Sequence, residues 1–412
     1  MLEHHLSSPI TRHRLRSGPA AEQVDGFAAW LHCRGYTPAS LESILRSLAG
    51  WSDWMQSAGF AMSDCLDGAT ACATELQAGG RVRYRRGPNK QSLTSAALFI
   101  RFLREQGLLP PPATPASPLD LWPVIRAFRL WMRQHRGLTE TTLDVYQPII
   151  AELLAALGSD THLYTAEALR GFTLERARRH GLRRAKTVVV AVRTFLRFLS
   201  ATGQCPPGME YAIPGFASWQ LSTVPRFLAA EEVERVIASC PTDGSGPRDK
   251  AVLLLLARLG LRAGEVAGLR FADINWGQGL LIVSGKARRQ ETLPLPQEVG
   301  DALLHYLHHS RPPLQTSEVF ISVRAPLRPL TRAAVTHIVR AALRRSGIKA
   351  PINGAHVLRH SAATTMLRQG ASLAGIGAVL RHRSPRTTAH YAKVDFDLLS
   401  EIAQPWPEVA SC

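Results

Sequence analysis

Apolar residues recur at helical spacing through the first half of the chain. Phe27, Trp30 and Leu31 stand at i, i+3 and i+4 and so share one helix face. Gly35 follows as a helix stop, and Thr37 stands where the next helix needs a cap. The arrangement returns further on. FAAWLHCRGYTPASLE at 27–42 aligns, with one residue of gap, to FRLWMRQHRGLTETTLD at 128–144. Phe27 pairs with Phe128, Trp30 with Trp131, Arg34-Gly35 with Arg136-Gly137, Thr37 with Thr139 and Leu41 with Leu143. Each copy closes on a second aromatic face: FIRFLREQGLLPP at 99–111 and FLRFLSATGQCPP at 195–207. Phe99, Phe102 and Leu103 fall together in one, and Phe195, Phe198 and Leu199 in the other. The pattern predicts a duplicated helical unit of about 85–95 residues, a domain-sized period. The aromatics are expected in its core. Arg101 and Arg197, between them, are expected to face outward toward phosphate.

Proline and glycine punctuate the chain at GLLPPPATPASP, residues 107–118, and again from Cys205 to Pro225. Beyond the second break, Leu228-Ala-Ala-Glu-Glu-Val reads as a helix start. Leu280–Val283, then SGKARR, then Thr292–Leu295 reads as a β-hairpin with a basic tip. The expected architecture is mainly α with a small β-sheet. It comprises a helical unit over 1–115, a second over 119–206, an α+β domain over 226–400 and a tail over 401–412. Toward that tail, Leu398, Leu399, Ile402 and Trp406 are spaced like one apolar helical face, to dock on their own chain or on a neighbouring copy.

Composition narrows the classes of partner. Lys and Arg number 49 against 32 Asp and Glu, a formal charge of +17, and a field of that sign gathers polyanions. Nucleic acid is the expected one, because basic side chains on phosphate release condensed counterions. A hydrophobic share of 45% excludes a disordered chain. The cysteines, at 33, 65, 72, 205, 240 and 412, form no CxxC pair, so neither a zinc ribbon nor a disulfide framework is indicated and a reducing cytoplasm is expected. MLEHHLSSPITRHRLRS shows no apolar leader, and the longest apolar run, Ala251 to Ala257, is far too short for a membrane span.

Four patterns in the last region carry candidate chemistry. In LGLRAGEVAGLRFADINW, at 259–276, Arg262 and Glu265 share a helix face, so the carboxylate can orient the guanidinium. Lys286 stands at the hairpin tip, where it can reach a DNA groove and protonate a leaving oxygen. In His356-Val-Leu-Arg359, followed by His360, His356 and Arg359 share a face and can both donate to phosphate. LRHRSPRTTAHY, at 380–391, places His382 before a Ser-Pro turn, and Thr387-Thr388 before Tyr391. Taken singly each has a plainer reading: a surface ion pair, a solvated turn lysine, an incidental or metal-binding His356/His360 pair without the carboxylate of HExxH, and a core tyrosine.

Taken together, the order Arg262, Lys286, His356-x-x-Arg359, His382, Tyr391 resembles the catalytic domain of the tyrosine recombinase (phage integrase) family. So does the text around it: LGLRAGE, SGK before a strand, HVLRHSAAT and LRHRSPRTTAHY. The resemblance covers about 226–395. The unit at 119–206 resembles the family's SAM-like core-binding domain, and 1–115 looks like a second copy, which most members lack. Arg381 stands where the family often has glycine.

The resemblance implies a site-specific recombinase or integrase that cuts and rejoins DNA through a 3′-phosphotyrosyl bond at Tyr391, for integration or transposition. Arg262 and Arg359 would clamp the phosphate, His356 and His382 would add hydrogen bonds, Lys286 would be the acid, and Glu265 would hold Arg262. Arg101, Arg197, Arg288, Arg289 and Arg381 are further DNA-binding candidates. No metal or cofactor is expected. The implied partners are double-stranded DNA, a homotetramer on paired sites, and related recombinases or accessory DNA-bending proteins, with no membrane. A type IB topoisomerase and a catalytically silent DNA-binding accessory protein stand as alternatives, with a metal-dependent nuclease behind them.

Overall fold

The computed structural model describes residues 2–77, 89–112, 117–179, 181–216, 224–284, 290–382 and 384–394, the side chains of Arg183 and Val394 excepted. The chain divides into two compact units, one of residues 1–110 with 221–412 and one of residues 111–220.

The first stretch is helical: α1 (Leu2–His5), α2 (Pro9–Ser17), α3 (Val24–Cys33), α4 (Pro38–Ser57), α5 (Cys65–Gln77) and α6 (Lys90–Glu105). The chain turns after α3 at Gly35, φ +78°. Thr37 then caps α4, its hydroxyl accepting from the Ser40 amide, with Pro38 in the first turn where its missing N–H is harmless. The apolar faces meet as their spacing requires. Phe27, Leu31, Leu41, Leu45, Trp51 and Phe99 are fully buried. Phe27 lies edge-on to Phe99 at 5.1 Å, and Trp30 to Phe102 at 6.0 Å.

The second unit holds α7 (Pro118–Leu121), α8 (Pro123–Arg136), α9 (Glu140–Leu157), α10 (Ala166–Arg179) and α11 (Leu182–Ala201). Its centre has the same composition. Phe128 lies edge-on to Phe195 at 5.5 Å, and Trp131 to Phe198 at 5.9 Å. Gly137, φ +58°, closes α8. Thr139 stands at the start of α9 but makes no side-chain cap; its hydroxyl lies 3.1 Å from that of Thr142.

The last stretch contains α12 (Ala230–Ala238), α13 (Gly246–Arg258), α14 (Ala263–Ala267), the strands β1 (Ile274–Asn275), β2 (Leu280–Ser284) and β3 (Gln290–Pro294), then α15 (Gln297–His309), α16 (Arg332–Arg345), α17 (His356–Arg368), α18 (Leu373–Val379) and α19 (Pro385–Ala389). The strands pair antiparallel in chain order, with Leu281 opposite Leu293 and Val283 opposite Glu291. Leu281 and Val283 turn into the core, two residues apart as a pleat requires. Residues Ala251 to Ala257 of α13 are buried on every face, which marks a central helix. Helices α15 and α17 pack on it. That packing holds the first turn of α17 in place.

Within the first unit, the turn after α3 meets the loop at Leu327. The Leu327 amide donates to the Arg34 carbonyl at 3.0 Å. A Cβ added at Gly35 would lie 2.4 Å from Leu327 Cδ1. Among the described residues no helix is long and apolar enough to cross a membrane. The apolar face at Leu398–Trp406 lies outside the described residues.

Candidate active site

The site is built at the end of α13. Gly260, φ +58°, turns the chain there, and a Cβ on it would meet Leu380 Cδ2 at 2.4 Å. Only glycine meets both demands. Two residues on, Arg262 holds the cap position of α14 in extended backbone. Its amide donates to Glu265 Oε2 at 2.8 Å and its Nη1 to Oε1 at 2.6 Å. One carboxylate thus closes the helix end and aims the guanidinium. Burial pushes the Glu265 carboxyl up. The Arg262 amide and the charges of Arg381 and Arg262 outweigh it, and the group is held below the usual range.

Helix α17 supplies the next groups. Arg359 is 4% exposed and donates to the carbonyls of Gly260 and Leu380. These carbonyls tie together the turn after α13 and the end of α18. Burial first, then the neighbouring Arg262 and Arg381, lower its pKa to about 10. His356 opens the same helix, exposed, with its ring 5.3 Å from that of His360.

Tyr391 lies in a 3₁₀ turn, His390–Val394, which packs on α17 and α19. It is 3% exposed, among Leu367, Ile376 and Leu380. Its hydroxyl is 2.8 Å from His360 Nδ1. The His382 ring is parallel to it, 1° between planes and 6.3 Å between centres. His382 Nδ1 lies 2.8 Å from Thr388 Oγ1, so the turn carrying Thr388 also fixes that imidazole. Burial pushes the Tyr391 phenol up to about 12 against the pull of Arg359. Burial, then neighbouring cations, lower His360 and His382 to about 4, so both rings are neutral at pH 7.

Arg381 corrects the sequence reading. A DNA contact there requires exposure, but its side chain is 2% exposed, and its Nη2 donates to Glu265 Oε2 at 2.8 Å. It is the one non-glycine with positive φ among the described residues, at +56°, so it keeps the backbone conformation a glycine would give. Its carbonyl accepts from Arg262 Nη2 at 3.2 Å. The structure therefore brings Arg262, Glu265, Arg359, His382 and Tyr391 together, with Arg381 beneath them. Lys286, Arg288 and Arg289 lie outside the described residues. Arg101 is exposed and paired with Glu105 at 3.0 Å, and Arg197 is exposed, 3.7 Å from Glu210.

Sequence reasoning gave no role in the site to two groups found there: His360, weighed only as a metal-binding partner of His356, and Thr388, noted only as preceding Tyr391. Their linear signals are weak: adjacency to Arg359 and four-residue spacing from His356 for the one, adjacency to Thr387 for the other. Among the described residues no group of three or more His, Cys, Asp or Glu could hold a metal ion. The arrangement is a cationic cluster: guanidiniums outnumber the facing carboxylate, with a buried phenol beside them. A phosphodiester would supply the missing negative charge.

Known proteins resemble this chain. Residues 226–397 match the model of the phage integrase family. The putative integrase/recombinase y4rA of Sinorhizobium fredii is 35% identical over 98% of this chain and 99% of its own length. Tyrosine recombinase XerA of Pyrococcus furiosus is 30% identical over 65% of this chain and 88% of its own. Among solved structures, XerH site-specific recombinase bound to a palindromic difH substrate after cleavage has a TM-score of 0.54 at 19% identity, covering 69% of this chain and 85% of that one. A lambda integrase dimer bound to a COC′ core site has a TM-score of 0.52 at 18% identity, covering 70% and 97%. With a relative this similar along its entire length, the chain belongs to the phage integrase family of tyrosine recombinases.

Proposed function

We propose that this protein recombines DNA at specific sites, with Tyr391 as the nucleophile. The observation that supports it most is the phenol of Tyr391 buried beside Arg359, within reach of its charge, with Arg262 held on the same guanidinium–carboxylate frame. The phenolic oxygen attacks the scissile phosphorus, the bond to the 5′ oxygen breaks, and Lys286 gives that oxygen a proton. The 3′-phosphotyrosyl ester retains the energy of the phosphodiester, so rejoining needs no nucleotide. Charge grows on the non-bridging oxygens in the transition state. Arg262 and Arg359 stabilise it as fork-shaped donors, with His356 and His382 adding hydrogen bonds. Loss of one such donor costs about 3 kcal/mol of barrier or more. Glu265 holds Arg262.

The helical units at 1–115 and 119–206 grip the duplex on this reading. Their matching aromatic centres favour duplication as the origin of the first. The protein acts as a tetramer on paired sites, and integration or transposition of a mobile element is the process. The test is an adduct assay. Wild type incubated with nicked duplexes tiled across the DNA flanking the gene should give an SDS-stable, protease-sensitive adduct. Tyr391→Phe should bind the same DNA and give none. DNA binding without an adduct from wild type would leave an accessory DNA-binding protein.

A further inference from the structure

We propose that His360 is a catalytic residue, the base that takes the phenolic proton of Tyr391 as the tyrosine attacks DNA. The inference rests on the reading of Tyr391 as nucleophile and assigns a part that reading leaves open, the destination of the proton.

The geometry narrows the acceptor. Nδ1 of His360 lies 2.8 Å from the Tyr391 hydroxyl, within the reach a general base needs. Two other imidazoles lie beside the phenol, each with its ring centre 6.3 Å away: His382, parallel to it with its Nδ1 engaged by Thr388, and His390, edge-on to it. Arg359 approaches the same phenol, but a guanidinium has no lone pair to offer. His356 sits one turn earlier on α17 and is exposed, so it is placed for phosphate rather than for the buried hydroxyl.

The protonation state agrees. Burial, with His356, His390 and Arg359 nearby, keeps His360 neutral at pH 7, so Nδ1 can carry a lone pair with the hydrogen on Nε2. The resting phenol is a weak acid and holds its proton. As the new O–P bond forms, that proton becomes strongly acidic and passes to Nδ1. The phosphate that DNA brings supplies the negative charge the resulting imidazolium needs. Atoms balance: the phenolic O–H and the P–O5′ bond break, Tyr O–P forms, His360 gains one proton, and Lys286 gives one to the 5′ oxygen. In rejoining, His360 returns its proton to the departing phenolate.

Asparagine separates proton transfer from orientation, because its amide oxygen can accept the tyrosine hydrogen bond but cannot take the proton. Single-turnover cleavage of the nicked duplex that gives the wild-type adduct should fall about 100-fold in His360→Asn and at least as far in His360→Ala. A duplex with sulfur at the bridging 5′ position has a leaving group that needs no acid. It should relieve Lys286→Ala and leave both His360 variants slow. Free imidazole should restore part of the rate to His360→Ala. Thermal melting identifies any variant that fails to fold, and His360→Asn, the smaller disturbance, then decides. A His360→Asn rate within threefold of wild type would overturn the proposal, since orientation would then suffice. Relief of the His360 variants by the sulfur substrate would overturn it too, because the defect would lie with the leaving group. An adduct absent from wild type would instead sink the underlying reading, and this inference with it.

Discussion

The Glu265 carboxylate offers a quantitative test of how the site is held. It is 6% exposed and faces Arg262, whose side chain is 37% exposed, and Arg381, at 2%. Replacing Glu265 by Gln keeps the shape and removes the charge, which strands the Arg381 guanidinium in the interior. Breaking a buried pair this way costs about 3–5 kcal/mol. The half-exposed Arg262 pair contributes little, about 1 kcal/mol or less after solvent screening. At about 2–4 °C per kcal/mol for a domain of this size, the melting temperature should fall by roughly 10 °C. Arg381→Gly should cost less, because it deletes the cation and relieves a left-handed strain of about 1–2 kcal/mol. In the Arg381→Gly background, Glu265→Gln no longer strands a buried charge. The double variant should then be more stable than the sum of the singles by about 2 kcal/mol, within the range seen for contacting residues. Urea or thermal unfolding of the four proteins measures this. Additivity within about 0.5 kcal/mol would refute the shared-carboxylate account. Acid should act in the same sense. Glu265 is held below its ordinary pKa when folded, so its contribution is full at neutral pH and lost as the pH falls below the carboxylate range.

Other outcomes follow from single contacts. Gly260→Ala forces a Cβ to 2.4 Å from Leu380 in a left-handed turn, and should lower stability by several kcal/mol and stop cleavage, read by melting and adduct formation. Gly35→Ala meets Leu327 at the same 2.4 Å; adding Leu327→Ala should recover part of the lost melting temperature, and no recovery would place the damage elsewhere. His360 and His382 fall from 6.5 to about 4 on folding, so the unfolded chain binds more protons between those values. Stability without DNA should be full above pH 6.5 and decline toward pH 4, checked by melting across that window, and His382→Asn should flatten the decline.

What could be read from the sequence was whatever depends on short separations. The i, i+3, i+4 aromatics placed α3, α6, α8 and α11 on their inner faces, because a helix face is set by spacing alone. The paired strands at 280–284 and 290–294 followed from two short apolar runs flanking a polar, basic turn, and the Arg262–Glu265 pair from one turn of helix. What escaped was set by contacts distant in sequence. Arg381 looked like a free cation beside DNA because its partner, Glu265, lies 116 residues away. His360 looked incidental because Tyr391, 31 residues on, returns to it only through the fold. Thr139 shows the same limit in miniature. It occupies the cap position that Thr37 also occupies, yet its hydroxyl turns to Thr142, since position in a helix does not fix a rotamer.

The placement of the cations carries a further consequence. Arg359 is buried with carbonyls, not a carboxylate, as its partners, and Arg262 divides itself between Glu265 and the Arg381 carbonyl. Neutral acceptors satisfy the N–H groups but leave the charge unbalanced, and burial, then the nearby Arg262 and Arg381, push Arg359 down to about 10. A site wired to a second carboxylate would be more comfortable without DNA and would bind phosphate less well, because the anion would have to displace a partner. Holding the guanidiniums on backbone oxygen keeps their geometry fixed while their charge stays available. That is preorganisation in the sense catalysis requires, since the donors need no rearrangement when negative charge grows on the phosphate. The same frame accounts for an arginine at 381. With the backbone already turned as for glycine, its side chain can fold beneath Glu265, and its charge holds in place the single carboxylate that aims Arg262.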